Sequence, residues 1–76
     1  MITANQIRAA RVLLEWDQKD LAEAAGLSLP TIQRMEKLGL ERSTVANAQK
    51  VIAAFNQGGV EFISKNGGGP GLRLRK

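Results

Sequence analysis

The sequence predicts a mainly α fold, four helices followed by a C-terminal β-hairpin, on three observations. Apolar residues recur at helical spacing in four stretches before residue 58. Each stretch opens on a residue whose side chain can accept from free helix amides: Thr3, Asp17, Ser28 and Ser43. Beyond Gly59 the pattern changes to strand-forming residues and then to strict alternation in Leu72-Arg73-Leu74-Arg75. The division implied is a helical domain over residues 1–58 and a hairpin over 59–76.

Thr3 followed by Gln6 has the spacing of a capping box, and Ile7, Ala10, Arg11 and Leu14 mark the inner stripe of a first helix ending near Glu15. Arg11 on that stripe needs a partner, because an unpaired buried charge is costly. Trp16 follows; a lone Trp in a small domain is expected to be the largest piece of the core rather than an exposed stacking platform. Asp17 caps a second helix with Leu21, Ala22 and Ala25 inward, and Gly26 supplies the left-handed residue that ends it.

After the short turn Gly26-Leu27-Ser28, Ser28 caps a third helix. Pro30 sits in its first turn, where a missing amide hydrogen costs least, and Ile32, Met35 and Glu36 return to the inner face. The outward residues are then Ser28, Leu29, Pro30, Gln33, Arg34 and Lys37. Gly39 ends this helix, with Leu38 and Leu40 expected to seal the core beneath the next loop. Ser43 is expected to cap a fourth helix whose Val45, Ala48, Ile52 and Phe55, widened by Val51, form one buried face.

Val60-Glu61-Phe62-Ile63 and Leu72-Arg73-Leu74-Arg75 read as two strands around a glycine-rich turn. A two-stranded hairpin is marginal alone, so it must lie on the helices or pair across a dimer. Phe62, Ile63, Leu72 and Leu74 are the candidate dimerisation residues, and the outer strand offers backbone groups for addition of the same strand from a second copy. Loss of residues 60–76 is expected to leave the helices largely folded and to favour monomer. The glycine cluster 67–71 lacks the Lys and Ser or Thr of a phosphate-binding loop, and no helix follows it.

Seventy-six residues make one domain. The absence of Cys and His excludes disulfides and the commonest zinc sites and leaves little acid–base chemistry, so neither enzymatic activity nor a metal or cofactor is expected. No apolar run reaches the roughly 20 residues of a membrane span, and the N-terminus lacks a signal core, which predicts a cytoplasmic protein with no membrane partner. Eleven Lys and Arg against seven Asp and Glu give +4, all of it carried by Lys65, Arg73, Arg75 and Lys76 in the last twelve residues. Such a balance suits a polyanion.

The ordered set Arg11, Leu14, Gln18, Leu21, Ala22, Gly26, Ser28, Thr31, Ile32 and Glu36 resembles the helix-turn-helix of the lambdoid phage repressor and Cro family, the XRE family of bacterial regulators. The likeness covers roughly residues 4 to 57 and runs without an insertion through Glu36. It implies a lambda-repressor-like DNA-binding domain whose third helix lies in the major groove, with dimers reading half-sites about 34 Å apart. It also implies a structural ion pair between Arg11 and Glu36, and phosphate contacts from Gln18 and Thr31. Lys19, Lys37 and Arg42 are candidates for further phosphate contacts.

Among candidate base-contacting residues, Arg34 can make two hydrogen bonds to O6 and N7 of a guanine, and Gln33 is the weaker second. Ser28 is a cap first and a DNA contact second. Leu29 and Pro30 depart from the polar residues often found there in the family; Leu29 suits either a thymine methyl group or a protein. The function implied is a sequence-specific regulator of transcription that binds a two-fold symmetric operator in double-stranded DNA as a homodimer, most simply a repressor. The alternative is an antitoxin, partner to a toxin, or another protein-interaction module, acting with or without DNA.

Overall fold

Each helix among the described residues begins at a side chain that takes up an amide the helix itself cannot satisfy. The computed structural model describes residues 3–39, 43–63 and 71–74. Leu40, Arg42, residues 64–70, Arg75 and Lys76 lie outside the described residues, as do the side chains of Ile63 and Arg73. Helices α1 (Ala4–Leu13), α2 (Gln18–Ala25), α3 (Leu29–Leu38) and α4 (Val45–Gly58) precede strands β1 (Val60–Ile63) and β2 (Gly71–Leu74).

Thr3 and Gln6 form the expected capping box at 3.1 and 2.8 Å. Asp17 caps α2 and completes a second box with Asp20, at 2.8 and 3.0 Å. Gly26 closes α2 at φ 70°, ψ 33°, in the left-handed region open to glycine at no steric cost. The cap of α4 is Thr44, not Ser43: the Thr44 hydroxyl accepts from the Asn47 amide at 3.1 Å. Two adjacent hydroxyls give the same sequence signal, and the one three residues before that amide makes the bond.

Helix α1 stops at Leu13, two residues earlier than expected, because the chain turns left-handed at Glu15 with φ 56°. The bend is held by hydrogen bonds from Glu15 N–H to the Val12 carbonyl and from Trp16 N–H to the Arg11 carbonyl, at 3.0 and 2.8 Å.

α1 packs on α3, while α2 packs on both α3 and α4. The core between them holds Ile7, Ala10, Leu21, Ile32, Met35, Val51 and Phe55. Val45 is 69% exposed and is not part of the buried face of α4. Helical side chains tilt toward the N-terminus, so this first residue overhangs the end of the helix. Leu38 is likewise 52% exposed and does not seal the core: it lies about 120° around α3 from the centre of the Ile32, Met35 and Glu36 stripe.

β1 and β2 pair antiparallel, with Val60 opposite Leu74 and Phe62 opposite Leu72. β1 lies on α4 and β2 on α1. Val60 is fully buried in the same cluster as Phe55, and Phe62 and Leu72 pack against that cluster. Trp16 stacks on Phe55 at 5.8 Å and 20°, and Phe62 meets Phe55 edge-on at 5.7 Å and 67°. This row of rings joins the α1–α2 turn to the hairpin through α4, consistent with Trp16 as a core residue.

Candidate nucleic-acid interface

α3 divides its residues cleanly. Ile32, Met35 and Glu36 are buried, whereas Leu29, Pro30, Gln33, Arg34 and Lys37 are exposed. The helix can afford a polar outer face because its inner stripe, spaced by three and four, supplies the packing. The side chains of Gln33, Arg34 and Lys37 therefore project away from the core without an intrachain hydrogen bond among the described residues.

At the start of α3 the Ser28 hydroxyl accepts from the Thr31 amide at 3.3 Å and pairs with the Thr31 hydroxyl at 2.8 Å. Both groups are engaged in the cap. Either hydroxyl can still offer a lone pair or its proton outward by rotation. Leu29, at 36% exposed, stands beside them.

Among the described residues the buried acid is Glu36, 3% exposed. Its carboxylate takes Arg11 Nε at 2.6 Å and Arg11 Nη2 at 2.9 Å, and the Gln18 side-chain amide at 3.2 Å. The third nitrogen of Arg11 donates to the Trp16 carbonyl at 3.1 Å. Among the described residues no buried side-chain nitrogen or oxygen lacks a partner. One cluster thus ties α1, the α1–α2 turn, the first turn of α2 and α3 to each other.

A carboxylate only accepts, so the Gln18 contact fixes which way its amide points. The nitrogen faces Glu36, with a second hydrogen left for an outside acceptor. In the same turn the capping box consumes the amide of Asp20, while those of Gln18 and Lys19 have no partner within the helix. A phosphate approaching there meets free N–H groups and the positive dipole end, together with exposed Lys19. It also meets the carboxylates of Asp17 and Asp20, which oppose it.

Sequence reasoning missed Arg8. Its Nη1 donates to the Glu36 carbonyl and its Nη2 to Asn5 Oδ1. The signal was available: Arg8 stands three residues before Arg11, the spacing that puts two helical residues on one side.

Two short helices joined through a left-handed glycine, the second buried along one stripe and polar along the other, make a helix-turn-helix DNA-binding domain. A family model described as helix-turn-helix matches residues 7–62, and the chain belongs to that family, the XRE and Cro type of DNA-binding regulators. No curated protein matches the chain significantly. No helix among the described residues is long and apolar enough to cross a membrane.

Proposed function

We propose that this protein is a sequence-specific regulator of transcription that binds a two-fold symmetric operator as a homodimer and represses by occluding the promoter. The observation that carries the proposal is the exposed face of α3, with Gln33 and Arg34 on a helix whose opposite stripe is anchored in the core. Arg34 reads a guanine, with Gln33, Leu29 and Ser28 completing the base contacts. Gln18, Lys19, Thr31, Lys37 and Arg42 hold phosphates and set the register of the domain on the duplex.

The hairpin supplies the dimer contact. Phe62 and Leu72 are largely taken up by packing within the chain, so a second copy meets exposed Leu74 and the backbone edge of β2, which has a single neighbour, β1, among the described strands. Sedimentation equilibrium of the protein on a duplex of the preferred sequence tests this. Two chains per duplex agree with the proposal, and one chain per duplex at saturation contradicts it.

A second reading has an observation of its own. Leu29 and Pro30 are both exposed at the tip of α3, and apolar residues there suit a protein surface as well as a thymine methyl. An antitoxin would use that tip on its toxin, alone or beside DNA. Replacing Leu29 with Gln separates the two: retained DNA preference with lost protein binding favours the second reading.

A further inference from the structure

We propose that Arg8, on the first helix, is a positioning residue for base reading: it holds the last turn of α3 by the Glu36 carbonyl and so fixes how α3 is rotated about its axis. The inference rests on α3 being the base-reading helix.

Glu36 is gripped at both of its ends. Its side chain is held by Arg11 from α1 and by Gln18 from α2, and its main chain by Arg8, one turn before Arg11 on α1. The carbonyls of the last turn of a helix have no partner within it. Gly39 N–H takes that of Met35 at 2.9 Å, and Arg8 takes that of Glu36, where its positive charge also complements the negative end of the α3 dipole. Asn5 Oδ1 accepts from the other terminal nitrogen and keeps the guanidinium turned toward α3.

Holding one residue by carboxylate and carbonyl prevents α3 from rolling. Arg34 lies two residues from Glu36 and so points to nearly the opposite side. A roll of about 10° moves a side-chain tip roughly 6 Å from the axis by about 1 Å. That is enough to spoil a two-bond contact with a guanine edge. Arg8 is exposed and basic, which by itself suggests a phosphate contact, but both of its terminal nitrogens are turned to acceptors within the chain.

The test compares Kd for the duplex most enriched by the full chain with Kd for a scrambled duplex of the same composition, across about 50–200 mM salt. Arg8→Gln is expected to lower the ratio of the two affinities by about 5- to 10-fold, a share of one good base contact. The slope of log Kd on log salt is expected to stay unchanged. Arg8→Lys, keeping the charge and a single donor nitrogen, recovers part of the ratio, and Asn5→Ala lowers it by about twofold.

Lost stability alone lowers the active fraction on both duplexes equally and leaves the ratio where it was. An unchanged ratio overturns the proposal, and a salt slope reduced by about 0.9 would make Arg8 a phosphate contact instead. A wild-type ratio near one, seen before any variant is compared, would sink the reading of α3 itself.

Discussion

The Arg11 guanidinium grips the Glu36 carboxylate through two nitrogens, at 2.6 and 2.9 Å, with Arg11 16% exposed and Glu36 only 3%. The asymmetry of burial decides what each partner costs when it is lost. Arg11→Ala strands a carboxylate that has only Gln18 left beside it and should destabilise by about 3–5 kcal/mol. Glu36→Ala should cost less, because the longer and more exposed arginine can reach water. Urea unfolding measures both, and the double variant Arg11→Met with Glu36→Leu should recover much of the loss. Equal costs for the two single variants would contradict this account of the pair.

Gly58 is required by space rather than by backbone angle. A Cβ there would stand 2.9 Å from Leu14 Cδ1 and 3.1 Å from two ring carbons of Trp16. The leucine tip can move, but the indole is stacked on Phe55. Alanine at a helical position gains about 0.5–1 kcal/mol over glycine from chain entropy alone. Overpacking costs about 1–3 kcal/mol, so Gly58→Ala should be destabilising on balance, with a changed Trp16 emission. A raised melting temperature would show that the ring has room to shift.

Glu15 holds a left-handed conformation, φ 56°, that costs a residue with a Cβ about 1–2 kcal/mol. Its side chain is exposed. Glu15→Gly should therefore stabilise the fold by about 0.5–1 kcal/mol, the greater entropy of the unfolded glycine offsetting part of the relief. Thermal unfolding reads the sign directly, and a destabilised variant would mean that the Glu15 side chain contributes packing or charge that its exposure hides.

Arg34→Ala should weaken binding to the best site by about 1–3 kcal/mol and relax preference at one base pair in each half-site. Competition with single-base-pair variants of that site measures it. Equal weakening on every sequence, with a shallower salt dependence, would make Arg34 a phosphate contact.

Local signals were the most legible. Caps at Thr3, Asp17 and Ser28 and the glycine turn at Gly26 are each decided within four residues, and the structure has them where the sequence places them. The partner of Arg11 came through resemblance, since no spacing links residues 25 apart. What local pattern cannot carry is the edge of the packed layer. Val45 satisfies apolar spacing yet overhangs the start of α4, and Leu38 lies off the buried stripe of α3.

The hairpin shows the same limit. Strand-forming residues foretold the first strand and alternation the second, but not that Val60 would be as buried as Phe55, since that depends on where α4 ends relative to α1. Removal of residues 60–76 therefore uncovers the core of the helices and cannot serve as a neutral test of dimerisation. In the candidate site, outward-facing Gln33 and Arg34 were legible from period alone, whereas the spacing of Arg8 and Arg11 marks a shared side of α1 but not the main-chain carbonyl that Arg8 holds.

On the proposed function, the outer face of α3 discriminates between DNA sequences. Selection of bound duplexes from a randomised pool at about 150 mM salt, where distant charge attraction is largely screened, tests it most directly. The expected result is an enriched motif with two-fold symmetry and half-sites about one helical turn apart, containing a guanine whose preference is lost with Arg34→Ala. Recovery of no motif, with retention that vanishes as salt rises, would contradict it and leave charge attraction as the sole tie to DNA.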